Sequence, residues 1–202
     1  VEQRFFKALT VSGGARYTDD SKSGGFTAWQ GGLIVDPYHW FRIHGSVARG
    51  FKLPDIRQLY LKMFPAEVPN EDLKAETYLS CDAGVEFNLL ENISMDITAY
   101  RIYADNKIIK SGTGWINADD FNYNGLEYSL KYSILKMLTF KAGYSYIDNE
   151  YEDQKLSYVP KHKFNGGVSL AHSGFYAGID CEVVRDVYAD SAGTQKLSDY
   201  TV

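Results

Sequence analysis

The 202-residue sequence has no long hydrophobic run, although hydrophobic residues make up 45% of it and its mean hydropathy is −0.31. A transmembrane helix needs about 18 to 20 consecutive apolar residues, so helical membrane spanning is excluded. The net charge of −5 leaves no surplus of cations, whereas binding of a phosphate backbone needs a clustered basic surface. Nucleic acid is therefore not an expected partner.

Cysteine is scarce, and no metal-ligand spacing occurs. Cys81 and Cys181 fall on the apolar face of predicted strands about five strands apart. At roughly 4.8 Å per strand they lie far beyond the ~6 Å that a disulfide allows. The four histidines lie in different segments, without His-x-x-His or paired-carboxylate spacing. We therefore predict no metal site, no cofactor and no catalytic residue, so the protein is not expected to be an enzyme.

Aromatic residues and alternating polarity are abundant. The sequence has 16 Tyr, 11 Phe and 3 Trp, so the aromatic share is 15%. Apolar and polar residues alternate in about ten segments; in residues 79–89, for example, Cys81, Val85 and Phe87 alternate with Asp82 and Glu86. Strict alternation indicates strands with one apolar and one polar face. Both a soluble sheet and a membrane barrel fit this pattern.

The connections between the predicted strands alternate between short and long. Long polar links are predicted at residues 18–25, 51–76, 104–117, 149–161 and 186–196. Short turns lie between them, which places every long link at one end of an antiparallel up-and-down meander. Outer-membrane barrels are built this way, with short periplasmic turns and long extracellular loops, whereas a Greek-key sandwich is not.

Several motifs resemble the β-barrel of TonB-dependent outer-membrane receptors. Residues 45–60 read GSVARGFKLPDIRQLY, and residues 70–77 read NEDLKAET, in which Glu71 and Ala75 stand where the family has proline. Residues 100–108 (YRIYADNKI) and 159–163 (VPKHK) add two weaker matches in the same order. The order and spacing of such matches hold from residues 14–17 (GARY) to residues 200–202 (YTV), which is nearly the whole chain.

This resemblance implies a transmembrane barrel of 22 strands with a plugged lumen. We place the chain at roughly strands 11 to 20, so residues 1–202 form a single barrel segment of the all-β class. The plug, the first half-barrel and the closing strands are then absent, and the start at Val1 suggests a cut from a longer chain. The implied partners are TonB, acting through the absent N-terminal plug and TonB box, a small-molecule metal chelate, and outer-membrane lipid.

In the family, ligand is bound by extracellular loops, the lumen wall and the plug. Aromatic side chains stack on planar chelates, and cations pair with anionic siderophores. The loop residues that could do this are Arg57, Tyr60, Phe64, Tyr103, Lys107, Trp115, Asn117, Tyr151, Tyr158, His162 and Tyr188.

Two functions follow from these features. The first is a receptor segment in the outer membrane of a Gram-negative cell, for TonB-energised uptake of a ferric siderophore or a cobalamin-like chelate. The alternative is a soluble β-barrel binding module of lipocalin-like type. The alternative requires Phe41, Val85, Phe87, Ile97 and Phe140 to be dry inside, whereas the receptor places them outside and Arg42, Asp82, Glu86 and Lys141 inside.

Overall fold

The computed structural model describes residues 1–6, 8–62, 67–90, 92–118, 120–135, 137–149, 158–190 and 193–202. The elements of this part of the chain are β1 (Glu2–Phe5), β2 (Leu9–Asp20), β3 (Gly24–Tyr38), β4 (Phe41–Lys52), α1 (Ile56–Tyr60), β5 (Glu76–Leu89), β6 (Ile93–Asp105), β7 (Ile108–Ser111), β8 (Gly114–Asn117), β9 (Phe121–Ile134), β10 (Leu138–Asn149), β11 (His162–His172), β12 (Phe175–Arg185) and β13 (Tyr200–Thr201).

Eleven strands form one open sheet in the order β1-β2-β3-β4-β5-β6-β9-β10-β11-β12-β13, and every pairing is antiparallel. Strands β7 and β8 form a separate hairpin. Each sheet strand therefore pairs with the sheet strand that follows it along the chain. The predicted all-β, up-and-down meander is confirmed.

The register keeps like residues on the same face. Val85 of β5 pairs with Ile43 and Ile97, while its neighbour Glu86 pairs with Arg42 and Asp96. A shift of one residue would exchange the two faces, so this alternation fixes the pairing. One face is apolar across the sheet, and the other is polar and charged.

The polar face carries an open depression. Side chains from β9 to β12, among them Lys131, Lys141, Lys163 and Asp180, line this depression of about 980 Å³ on the polar face. We call it the inner wall, and the opposite face the outer face.

The outer face is uncovered in the structure. Ile97 and Phe140 are each 37% exposed, and Phe41, Val85 and Phe87 are partly exposed. In the part of the chain that the structure describes, the dry apolar interior that the soluble module requires is not found, so that alternative is not supported. Free and exposed, Cys81 and Cys181 also lie on this face.

The two ends of the sheet differ in the length of their connections. At the tight-turn end, strands are joined by residues 6–8, 39–40, 90–92, 135–137 and 173–174. At the long-link end, most connections are long, as predicted. The predicted long link at residues 18–25 is wrong, because β2 and β3 are joined by only three residues, 21–23. There Oδ1 of Asp20 accepts hydrogen bonds from the backbone N–H groups of Lys22 (3.1 Å) and Ser23 (2.7 Å), which closes a tight turn.

Two links at this end contain regular structure. The link from β4 to β5 contains α1, and the link from β6 to β9 contains the β7–β8 hairpin. Among the described residues, no helix has the length and apolar character needed to cross a membrane.

Candidate functional site

The two structured links pack together at the long-link end and form what we call the loop layer: α1, the described residues of 61–75, and the β7–β8 hairpin. Its small core consists of Leu59, Leu73 and Ile108, which are buried, with Trp115 packed against them. Helix α1 starts at Ile56, where Oε1 of Gln58 accepts a hydrogen bond from the N–H of Asp55 at 2.8 Å. Trp115, a predicted ligand residue, is therefore part of a hydrophobic core.

A carboxylate that the sequence analysis missed joins the parts of this layer. Glu67 is 6% exposed and accepts two hydrogen bonds from Arg57, from Nε at 3.2 Å and Nη2 at 2.6 Å. It also accepts one from Nζ of Lys110 at 2.9 Å. The hydrogen bond from Arg57 lowers the pKa of the Glu67 carboxyl, and that from Lys110 lowers it further. The charge of Arg57, a predicted ligand residue, is thus paired within the layer.

Side-chain amides fasten the hairpin to the link. Oδ1 of Asn117 accepts from the N–H of Lys74 at 2.8 Å, and its Nδ2 donates to the carbonyls of Lys74 (3.0 Å) and Asn106 (2.7 Å). Nδ2 of Asn70 donates to the carbonyl of Trp115 at 2.8 Å. Asn117 therefore uses both of its amide atoms inside the loop layer.

The β2–β3 turn reaches the same layer through one lysine. Nζ of Lys22 donates to the hydroxyl of Tyr60 at 2.8 Å and lies 4.5 Å from the centre of its ring. The contact with Tyr60 raises the pKa of the Lys22 ammonium. Tyr60 itself remains about half exposed, so it presents an aromatic surface next to a cation.

Next to the loop layer, an aromatic cluster lines the inner wall at its long-link end. Phe121 and Tyr123 of β9 are buried with Ala104 of β6. Nζ of Lys107 lies 4.8 Å from the ring centre of Phe121 and 5.1 Å from that of Tyr123, and it donates to the Tyr123 hydroxyl. We call Lys107, Phe121 and Tyr123 the inner rim. Tyr78, Ile102, Ala118 and Ile147 pack against its buried residues.

In the inner rim the ammonium of Lys107 is partly exposed, whereas the rings of Phe121 and Tyr123 are buried against it. The ammonium can bind an anionic group through a charge-assisted hydrogen bond, and the two rings hold it in place. Lys107 was predicted from the sequence, whereas Phe121 and Tyr123 were missed. The alternation of β9 could have revealed them, because Phe121, Tyr123 and Glu127 share the inner face with Ala104 through the β6–β9 register.

Three further predicted residues, Tyr158, His162 and Tyr188, lie at the long-link end near β11 and β12. The N–H of Tyr158 donates to the carbonyl of Tyr188 at 2.7 Å. Nδ1 of His162 lies 2.9 Å from the hydroxyl of Tyr144, and its Nε2 lies 3.8 Å from Oδ2 of Asp186. The hydrogen bond from Lys196 lowers the pKa of the Asp186 carboxyl. Since His162 pairs with Tyr146 in the outer-face rows, it lies at the upper edge of the outer face.

The remaining predicted residues do not join either group. Tyr103 pairs with Leu79 on the outer face of β6, where the guanidinium of Arg101 lies 4.8 Å from its ring centre. It therefore belongs to a strand and not to a loop. Phe64 and Tyr151 lie outside the described residues.

The inner wall carries further charges outside the inner rim. Lys163 forms an ion pair with Glu182 at 2.8 Å. Lys131 and Lys141 are register partners, and no ion pair to either is found among the described residues. In the described part of the chain, no group of three His, Cys, Asp or Glu side chains is placed to hold a metal ion.

Comparison with solved structures gives the same architecture. The siderophore receptor PirA from Pseudomonas aeruginosa is 21% identical over 96% of this chain and 35% of its own, with a TM-score of 0.75. PirA from Acinetobacter baumannii is 18% identical, with a TM-score of 0.79 over 99% of this chain and 37% of its own. A mutant ferric enterobactin receptor (PfeA) from Pseudomonas aeruginosa is also 18% identical, with a TM-score of 0.81 over 99% and 35%.

This chain thus spans about a third of the length of these receptors, and at such identities the similarity establishes the fold. The family model for "TonB dependent receptor-like, beta-barrel" matches residues 2–202. Together with the open meander, the charged inner wall and the uncovered apolar outer face, this match shows that the chain belongs to the TonB-dependent receptor β-barrel family.

Proposed function

We propose that residues 1–202 form one segment of the wall and external loops of an outer-membrane receptor that takes up a ferric siderophore. The observation that carries the proposal is the inner rim, where the ammonium of Lys107 lies against Tyr123 and Phe121 at the long-link end of a polar wall. Proteins that share this fold include siderophore receptors and a ferric enterobactin receptor. A cobalamin-like chelate is the second ligand class.

The long-link end favours an anionic aromatic chelate, because the ammonium of Lys107 is partly exposed and the ring of Tyr60 is about half exposed. A catecholate ligand has flat rings that can stack on aromatic side chains, and its oxygens accept hydrogen bonds from an ammonium or a phenol. Tyr60 and Lys22 provide a similar pairing in the loop layer above. A ligand entering from the long-link end would meet these two aromatic–cation pairs in succession.

The same proposal includes the partners and the location. The apolar outer face contacts the lipid of the outer membrane of a Gram-negative cell, because alternating strands then place polar side chains in the lumen. TonB supplies the energy for uptake by acting on a part of the receptor other than this wall. The wall and loops bind and guide the ligand, and no residue here performs covalent chemistry.

The test measures the affinity of ferric enterobactin for the purified receptor that contains this chain. Quenching of the intrinsic fluorescence of the receptor reports the binding. Lys107→Gln removes one charge-assisted hydrogen bond and should weaken binding by roughly tenfold. The matched control is Lys74→Gln, at an exposed loop residue whose backbone N–H and carbonyl form the hydrogen bonds with Asn117. Its affinity should equal that of the wild type.

Cobalamin, titrated in parallel, separates the two ligand classes. Saturable quenching by cobalamin but not by ferric enterobactin would replace the siderophore with the second class. Equal affinities of the wild type and Lys107→Gln for ferric enterobactin would remove the inner rim from the binding site.

A further inference from the structure

Three of the tight turns share one unusual construction. The connections 6–8, 90–92 and 135–137 each have three residues, and each begins with a large apolar residue at positive φ: Phe6 (52°), Leu90 (61°) and Leu135 (51°). Residues with a β-carbon are uncommon in this left-handed region, where Gly, Asn and Asp are favoured. We call these three side chains the apolar tips.

Among the described residues, no packing contact accounts for apolar side chains at these positions. Phe6 is 93% exposed, Leu90 77% and Leu135 86%, so their side chains bury little surface within the chain. An apolar side chain in a left-handed turn therefore carries a conformational cost without a packing gain. A contact outside this chain would supply that gain.

The apolar tips continue an apolar band along the tight-turn end. The turn between Phe6 and Leu90 carries exposed Tyr38 and Trp40, whose rings stack with centres 5.5 Å apart. Neighbouring tight turns are two strands apart, which is about 10 Å. Above the tips begin the apolar rows of the outer face, for example Leu89 paired with Ile93.

Charged residues accompany the tips in the sequence. Lys7 follows Phe6, Glu91 follows Leu90, and Lys136 follows Leu135. An apolar side chain next to a charged one suits the boundary between lipid headgroups and acyl chains, where aromatic rings and long charged side chains are enriched. A protein-binding hot spot would instead cluster its apolar residues in one buried patch.

We propose that Phe6, Leu90 and Leu135 contact membrane lipid and fix the depth at which the tight-turn end of the wall lies in the adjacent leaflet. The lipid acyl chains near the headgroups cover the tips. This inference rests on the membrane location in the proposed function.

The test measures the surroundings of spin labels on the receptor that contains this chain, reconstituted in phosphatidylethanolamine–phosphatidylglycerol vesicles. In a Cys81→Ala, Cys181→Ala background, single labels are placed through Leu90→Cys and Leu135→Cys. Collisions with oxygen, which partitions into lipid, are compared with collisions with a water-soluble nickel chelate. At both tips, oxygen collisions should exceed chelate collisions several-fold.

Two matched labels calibrate the result. Phe140→Cys reports the outer face, and Ser173→Cys reports a tight turn whose positive-φ residue (48°) is polar. The inference predicts that the tips resemble Phe140 and differ from Ser173. Circular dichroism of each labelled receptor verifies that the β-content is retained.

Each other outcome is decisive. If the tips resemble Ser173 while Phe140 meets lipid, the inference is overturned and the membrane location stands. If the tips are shielded from both reagents, a protein contact covers them and the lipid proposal is likewise overturned. If Phe140 itself meets the water-soluble chelate, the membrane location fails and the inference fails with it.

Discussion

The long-link end and the tight-turn end of this wall differ in the burial of their apolar side chains. At the long-link end, Leu59 and Leu73 are buried in the loop layer, and the carboxylate of Glu67 pairs with two cations. At the tight-turn end, Leu90 and Leu135 extend from left-handed turns with almost no cover. One end is thus packed by the chain itself, and the other leaves its apolar groups for the surroundings.

This difference means that exposed side chains have different roles at the two ends. The long links are large enough to fold over their own core, so their exposed groups are those that can meet a ligand. A turn of three residues has no room for a core, and its apolar side chain can only be covered from outside. A leucine therefore has a structural role at one end and an interfacial role at the other.

The largest expected effect is the loss of the loop-layer core. Leu59→Ala removes a buried side chain beside Leu73 and Ile108 and should lower the free energy of opening of the loop layer by about 2 to 5 kcal/mol. Hydrogen exchange of the backbone amides of Ile108–Ser111 measures this opening. The control Leu61→Ala alters an exposed leucine two residues further on and should change it by less than about 0.5 kcal/mol. Similar losses in both variants would contradict the assigned core.

An intermediate effect is expected from pH, through Glu67. The hydrogen bond from Arg57 lowers the pKa of this carboxyl, so folding favours its charged form. The stabilisation is fully present above the unfolded pKa of about 4.3 and is lost as the pH falls through the lower folded value. Wild type should therefore resist protease cleavage of the loop layer better than Glu67→Gln near neutral pH, and the two should converge in acid.

The control for this titration is Glu71→Gln, because Glu71 is exposed and lies 3.7 Å from Nζ of Lys22. Its cleavage should follow that of the wild type at every pH, since exposed ion pairs contribute little. A constant difference between wild type and Glu67→Gln down to strongly acidic pH would mean that the carboxyl charge is not responsible.

The smallest expected effect is at the tight-turn end. Leu135→Ala keeps the turn conformation and removes a side chain that is exposed, so the free energy of unfolding in detergent micelles should change by less than about 0.5 kcal/mol. Denaturant titration followed by circular dichroism gives this value. A loss comparable to that of Leu59→Ala would show that Leu135 packs on the fold and would remove the contrast between the two ends.

The strands and their faces were predictable from the sequence, because alternation with a period of two is a local property. The alternation of residues 79–89 placed Val85 and Phe87 on one face and Asp82 and Glu86 on the other, as the register shows. The same reasoning could have placed Tyr103 on the outer face, since it follows Ile97 by six positions within β6.

The site was less predictable, because it depends on contacts between segments far apart in the sequence. Lys107 was predicted as a ligand residue and lies at the long-link end, but its contacts with Phe121 and Tyr123 are formed by the β6–β9 pairing. Arg57 was also predicted as a ligand residue, and only the structure shows that its guanidinium is paired with Glu67. The link at residues 18–25 was judged by its polar composition, although the side chain of Asp20 closes a short turn there.

The strands, their two faces and the end at which the long links lie follow from the sequence, because each depends on neighbouring residues along one strand or one connection. The pairing of charges, the contacts of Lys107 with aromatic residues and the exposure of individual leucines depend on the tertiary structure. These contacts join segments that strand pairing brings together. Contacts of this kind produce no periodic pattern in the sequence.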